Sequence, residues 1–268
     1  MHVESESLII LESALLESAH LQRSVTVDFY LPVNVRHPEN MSLLLINDGQ
    51  DLPKFGFDSL LQQLYEEQAI RRVFCVGIHA GEDRRMEYGT ASIPDYKGRG
   101  AKADLYTKFI FDELLPYIRT TYHVYSFREK VFAGFSLGAL TALDIVWKHP
   151  QEFAAAGVFS GSLWWRTRDQ ADENFNEDTD RIIHQQIRNG EYYPWLKFFF
   201  QCGALDEDKD RNHNGVIDSI DDTMDLIKEL KAKGCPDENI NFLLLEDGKH
   251  DVETWGKAMP VFLKWAFY

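Results

Sequence analysis

Gly134, Phe135, Ser136, Leu137 and Gly138 form a G-x-S-x-G pattern near the middle of the chain. The pattern alone says little, because small-residue turns are common. Its setting gives it meaning. "REKVFAGFS" (128–136) reads as an apolar strand, and "SLGALTALDIVWKHP" (136–150) as a helix that stops at Pro150. A serine on such a sharp strand-to-helix turn lifts its hydroxyl clear of the backbone. The helix that follows aims free amides at any oxyanion that develops there. The chemistry on offer is nucleophilic attack by a hydroxyl. The competing reading is a plain turn with an N-capping serine.

A serine hydroxyl is a weak nucleophile and needs a base, which in turn needs an orienting acid. On this kind of turn the chain order is serine, then acid, then histidine. The later histidines are His149, His184, His213 and His250. His149 ends the nucleophile's own helix and reads as a charge partner for its C-terminus. His184 falls in the helix-like "DRIIHQQIRNG", and His213 lies in an acid-rich loop. Only His250, in "LEDGKHDVETW", follows the last strand on a glycine-containing loop that enters the final helix. It is the expected base. For the acid, the strand "FFFQCG" runs into "ALDEDKD", where Asp206 stands three residues after Gly203. Glu207 and Asp208 compete with it, since a one-residue step turns a side chain elsewhere; Asp206 is preferred. The oxyanion needs two backbone donors. The amide of Leu137 is one, and the loop after "SLLLIND", near Gly49 or Gln50, supplies the other.

These residues need a scaffold, and the chain has the pattern for one. "SLLLINDG" (42–49), "RRVFCVGIHA" (71–80), "FAAAGVFSGS" (153–162), "LKFFFQCG" (196–203) and "NINFLLLEDG" (239–248) read as strands. They alternate with amphipathic helices at 57–70 and 221–234, the second closed by Gly234. Strands apolar throughout, alternating with helices, predict a mostly parallel central sheet covered on both faces. "SLIILESALL" and "RSVTVDFYLP" predict an antiparallel N-terminal edge. One domain over 1–268 is expected, with insertions at 81–107 and 163–195. The second insertion carries Trp164 and Trp165, whose rings either wall a pocket or pack the insertion down.

Lys and Arg number 28 against 43 Asp and Glu, a net charge of −15, which argues against nucleic acid and anionic membrane surfaces as partners. No apolar run approaches the roughly 20 residues of a membrane span. The start lacks a secretory pattern, so a cytoplasmic protein is expected. Cys75, Cys202 and Cys235 are an odd number without metal spacing and read as buried free thiols.

The acid-rich stretch after the 196–203 strand holds a second pattern. "DRNHNGVIDSID" (210–221) fits a twelve-residue calcium loop. Asp210, Asn212 and Asn214 occupy positions one, three and five; the Val216 carbonyl, Asp218 and Asp221 take seven, nine and twelve. Asp replaces the usual Glu at twelve. The alternative is an Asx-rich turn leading into the next helix. A structural Ca2+ is therefore expected as an option, with no cofactor required for catalysis.

"INDGQDL", "ELLPYIRTTYHV", "VFAGFSLGALTALD", "HPQEFAAAGVFSGSLWW" and "DGKHDVETW" together resemble the esterase family of α/β-hydrolases. That family includes enterochelin and other siderophore esterases, esterase D, feruloyl and acetyl-xylan esterases, and the mycolyltransferases. The resemblance covers roughly residues 20 to 268 and lies in the linked order of the motifs. Many relatives carry a second glycine where this chain has Ala139. The resemblance implies an α/β-hydrolase fold, a small-molecule ester as substrate, and cleavage through an acyl-enzyme with Ser136, His250 and, less firmly, Asp206. It also sets "EDRRMEYG" against an R-x-x-E element of siderophore-esterase-like members, so that Arg84, Arg85 and Glu87 line the substrate pocket or else form a surface ion pair. Two other functions stay open: acyl transfer on the same triad, and a calcium-dependent binding protein that kept the scaffold.

Overall fold

The computed structural model describes residues 7–268. Their strands are β1 (Ile9–Ser18), β2 (Arg23–Pro32), β3 (Ser42–Asn47), β4 (Val73–Ile78), β5 (Lys130–Phe135), β6 (Ala155–Phe159), β7 (Lys197–Leu205) and β8 (Ile240–Lys249). They form one sheet in the order β1-β2-β4-β3-β5-β6-β7-β8. β1 pairs antiparallel with β2, and β2 antiparallel with β4; every other pairing is parallel. This is the α/β-hydrolase architecture, with the N-terminal edge the sequence predicts.

The helices are α1 (Phe57–Glu66), α2 (Arg84–Glu87), α3 (Ala103–Lys108), α4 (Leu115–Tyr122), α5 (Leu137–Lys148), α6 (Glu177–Asp180), α7 (Ile182–Asn189), α8 (Asp218–Ala232) and α9 (Val252–Phe267). A π-helical segment, Phe109–Leu114, joins α3 to α4. Every residue of β3 and β4 is buried, which is why these strands read as unbroken apolar runs. Leu43 and Leu45 face one core, with Tyr106, Phe109 and the buried residues of α5. Leu44 and Ile46 face the other, with Phe57, Leu61, Met259 and Phe262. The two-residue period thus divides one strand between two layers.

Two expectations change. The 81–107 insertion holds two helical pieces, α2 and most of α3, and the helical run onward to Tyr122 has no counterpart among the expected helices. Helix α8 begins at Asp218, three residues before the expected start, and takes Asp218 and Asp221 into its first turn. Its end is as expected. Gly234, at φ +93°, donates its N–H to Lys231 O (2.9 Å), and the Cys235 N–H bonds Leu230 O (3.0 Å). All three cysteines are free and buried. Among the described residues no helix is long and apolar enough to cross a membrane.

Candidate active site

Between the end of β5 and the start of α5 lies one residue, Ser136, at φ 55° and ψ −118°. A non-glycine residue held at positive φ is strained, and such strain persists only where the surroundings impose it. Here they do. Ser136 N–H donates to Phe159 O (2.9 Å), and Ser162 N–H donates to Ser136 O (3.1 Å). A Cβ on Gly134 would sit 2.4 Å from Gly138 O, and one on Gly138 would meet Asp48 Oδ2 at 2.6 Å, so neither position admits a side chain. Below the turn, Asn47 Nδ2 donates to Gly138 O (2.7 Å) while Tyr106 Oη donates to Asn47 Oδ1 (2.5 Å).

His250 stands on the turn between β8 and α9. Asp251 Oδ1 accepts the Thr254 N–H (2.9 Å), and Thr254 Oγ1 accepts the Lys249 N–H (2.8 Å). This pair of caps closes the turn on both sides of the histidine. The imidazole Nε2 lies 2.9 Å from Ser136 Oγ. Its ring meets Trp255 edge-on at 5.5 Å, and Trp255 stacks on Phe135 at 5.0 Å while donating Nε1–H to Ser160 Oγ (3.1 Å). Trp255 and Ser160 had no signal in the sequence beyond their closeness to His250 and β6. Ser162 was also missed; its hydroxyl lies 3.4 Å from Ser136 Oγ.

Asp206 and Glu207 separate cleanly by neighbourhood. Both Asp206 oxygens are buried and lack a partner in good hydrogen-bond geometry. Burial pushes this carboxyl up, while the Ser160 hydroxyl, the Gly203 backbone and His250 pull it down. Glu207 is likewise pushed up by burial, and next by Asp218, with the Ser219 backbone and Lys209 opposing. The His250 pKa is lowered, first by burial; Asp206 raises it, Arg84 lowers it and Asp251 raises it. Of the two acids, Asp206 is the one whose charge acts on the imidazole, beside that of Asp251.

The amide of Leu137 is the first of α5, where no helical carbonyl can receive it. Gln50 occupies the first turn of a 3₁₀ helix, Gly49–Phe55, whose N-cap Asp48 has φ 61°. A Cβ on Gly49 would lie 2.4 Å from the Gly77 carbonyl carbon, so the loop passes over β4 only as glycine. Gln50 Oε1 accepts the Ala80 N–H (3.0 Å). Arg84 clamps Asp48 with two bonds, Nε to Oδ1 (2.7 Å) and Nη2 to Oδ2 (2.8 Å). It therefore braces the loop that carries Gln50. Arg84→Gln is expected to lower kcat/KM about 10- to 100-fold by loosening that loop. It removes a charge that lowers the His250 pKa and bares Asp48, so the acid limb of the pH–rate profile should move to higher pH. An unmoved limb would leave Arg84 a purely structural part.

Other expected site residues fall elsewhere. Glu87 is 1% exposed and paired with Arg23 (2.8 and 2.6 Å), so it is a buried ion pair and not a substrate group. Arg85 is exposed, and its carbonyl accepts the Gly100 N–H (2.9 Å). Trp165 is fully buried against Gly89 and Gly100, so of its two expected places it takes the second and not the pocket wall: it packs the two insertions together. Trp164 is half-buried and does line a cleft. His149 caps the end of α5, with its ring 4.4 Å from that of Phe111, and burial pushes its pKa down. His184 is buried, with Nε2 2.8 Å from Asp222 O.

In the 210–221 loop, Asp210 accepts the amides of Asn214 (3.1 Å) and Gly215 (2.9 Å). Asn212 and Asn214 both donate Nδ2–H to Asp221 Oδ2 (2.7 and 2.9 Å). Four expected ligands thus converge. Asp218 does not, because its Oδ1 accepts the Arg211 N–H (2.8 Å) and pairs with the Arg211 guanidinium (3.3 Å). Among the described residues no group of three or more His, Cys, Asp and Glu is placed to hold a metal ion.

A strained serine turn, a histidine within hydrogen-bond reach and a mostly parallel sheet define a protein of the α/β-hydrolase class. The family described as "Putative esterase" matches residues 18–266, and the chain belongs to it. It is accordingly an ester-hydrolysing enzyme. An uncharacterized Bacillus subtilis (strain 168) protein, YjcH, is 22% identical over 249 residues, covering 92% of this chain and 93% of its own. A ferulic acid esterase superposes with a TM-score of 0.69 at 17% identity, covering 98% of each chain. The enterobactin esterase FES of Shigella flexneri, solved in the presence of enterobactin, gives a TM-score of 0.74 at 22% identity. It is matched over 97% of this chain but only 59% of its own length.

Proposed function

We propose that the chain is a serine carboxylic-ester hydrolase that works through an acyl-enzyme. The observation that carries this reading is the 2.9 Å contact between His250 Nε2 and the Oγ of a serine held at positive φ. Ser136 Oγ attacks the ester carbonyl as His250 Nε2 takes its proton. The carbonyl oxygen becomes an oxyanion facing the amides of Leu137 and Gln50. The tetrahedral species then collapses; the C–O bond to the alcohol breaks, and His250 returns its proton to the departing oxygen. Water repeats the sequence on the acyl-enzyme, releasing the acid and restoring Ser136. Asp206 steadies the imidazolium formed at each attack.

Burial lowers the His250 pKa, which favours the neutral imidazole that can act as base. Hydrolysis of feruloyl, acetyl-sugar, catechol-siderophore and short-chain esters, compared at equal concentration, tests the reading and ranks the acyl group. Product analysis in the presence of alcohol acceptors tests transfer against hydrolysis. No turnover of any of these esters would overturn the proposal.

The calcium loop is a separate proposal, now with Asp210, Asn212, Asn214, the Val216 carbonyl and Asp221 as ligands and without Asp218. The convergence of four side chains supports it. The ion would take no part in the chemistry. Calcium is expected to raise Tm by roughly 2–4 °C per kcal/mol of net binding, and EGTA to reverse the shift. An unchanged Tm would return the loop to a hydrogen-bonded turn.

A further inference from the structure

A cleft of about 220 Å³ opens where the two insertions meet the segment after β7. The insertions are joined there by Tyr96 N–H, which donates to Arg166 O (2.9 Å). In sequence the cleft adjoins the candidate active site: Trp164 in its wall is two residues past Ser162, and Glu207 directly follows Asp206. Its charge runs against that of the chain. Lys97, Arg166 and Lys209 line it, and among the described residues none of the three has a carboxylate within 4.0 Å. The other ionic groups in the wall are accounted for. Arg99 is neutralised by Asp95, and Asp218 by Arg211. Glu207 remains, with its carboxyl pushed towards the neutral form by burial. Exposed Asp169 lies in the field of Arg166 and Lys97 from outside the wall.

Arg166 is the most telling member. Its guanidinium lies over the rings of Tyr96 (5.4 Å), Trp164 (5.9 Å) and Phe175 (5.9 Å), and Nη1 donates to Trp164 O (3.4 Å). Its Nε is buried with no acceptor. Three rings and a carbonyl hold the fork in place, yet no acid neutralises it. An unmet buried donor is costly, and a fixed, partly desolvated guanidinium is what a carboxylate binds best. Because the fork is already ordered, little is lost in positioning it when an anion arrives.

We propose that this cleft is the subsite for a carboxylate carried by the ester substrate, bound by Arg166 with help from Lys209 and Lys97. The inference rests on the hydrolase reading above and narrows its substrate class to esters with an anionic end. The matched probes are mono(4-nitrophenyl) adipate against its methyl ester, for the acyl side, and 4-acetoxybenzoate against its methyl ester, for the alcohol side. In one arm the enzyme should favour the anion by about tenfold in kcat/KM at low salt, and less at high salt. Lys209→Gln and Arg166→Gln should each cut that preference several-fold through KM, and Arg166→Lys should restore part of it. Arg166→Gln risks misfolding, because the residue joins three rings; Lys209 is exposed, so its variant stands on its own. Lys264→Gln, on the exposed side of α9, should keep the preference and serves as the charge control. Neutral esters favoured in both arms, or a preference unmoved by Lys209→Gln, would overturn the subsite. Turnover of neutral esters that depends on Ser136, without any preference for the anion, would overturn the subsite alone and leave the hydrolase reading standing.

Discussion

Ser136→Ala is expected to lower kcat on a neutral nitrophenyl ester by about 10⁵- to 10⁶-fold while leaving the fold intact. The size follows from the cooperation expected of the proposed triad: without the nucleophile, the base and the oxyanion donors would have nothing to activate. The intact fold follows from how little the hydroxyl does for structure. Among the described residues Oγ meets only His250 (2.9 Å) and Ser162 (3.4 Å), whereas the turn is held by backbone bonds to Phe159 and Ser162. Alanine inherits the positive φ and its strain. Ser136→Gly relieves it and should be more stable than the alanine variant by about 1 kcal/mol. The wild type should be labelled by a fluorophosphonate probe and both variants left unlabelled. Activity above one per cent in Ser136→Ala, or labelling of that variant, would remove Ser136 from the nucleophile's place. Loss of labelling accompanied by a collapsed Tm would point to unfolding instead, and the glycine variant separates the two.

The main elements were legible because their signals are local. The turn at Ser136 announces itself in five residues, flanked by a strand and a helix that can be read from apolar spacing alone. His250 could be singled out because a catalytic histidine in this topology must follow the last strand, and only one does. The fold class came from the same source, apolar runs long enough for buried strands and separated by helical periods. What stayed hidden depends on contacts distant in sequence. Arg23 and Glu87 lie 64 positions apart, so nothing in "EDRRMEYG" reveals that its glutamate is buried against an arginine from β2. Trp165 looks like a pocket aromatic until Gly89 and Gly100 are seen beneath it. The helical run from α3 to α4 was obscured by a π-helical segment in its middle, which breaks the 3.6-residue period.

The choice between Asp206 and Glu207 was hidden for a different reason. Strand β7 shifts register against β8 between Gly203 and Leu205, next to the acids themselves. A bulge of this kind reorients the side chains that follow, so simple alternation cannot say which acid points inward. Gly203 belongs to the same irregularity: a Cβ there would lie 2.4 Å from Gly248 O, on the strand that leads to His250. The close approach of two glycines thus brings the acid's strand end to the base's turn.

Asp206→Asn is accordingly expected to lower kcat by about 10²- to 10⁴-fold, and to do so without destabilising the protein. The sign of each effect can be worked out. Asp206 raises the pKa of His250 against burial and Arg84, which lower it. With that charge gone, the imidazole pKa falls further, so the acid limb should move to lower pH as the plateau drops. The Asp206 pKa is itself raised in the folded protein, mainly by burial. A carboxyl with a raised folded pKa contributes stability that is lost as pH rises from its unfolded value, near 3.9, through its higher folded one, because the folded state resists ionisation. A neutral asparagine escapes that cost, and the variant should be as stable as wild type or more so at pH 7, the trade expected where a residue is kept for chemistry. Glu207→Gln shares the stability gain, for its pKa is raised by burial too. It should leave the acid limb in place, since the charges that act most on His250 are those of Asp206, Arg84 and Asp251. Measuring kcat against pH and Tm for both variants therefore separates orienting acid from bystander. If Glu207→Gln moved the limb and Asp206→Asn did not, the two residues would exchange roles.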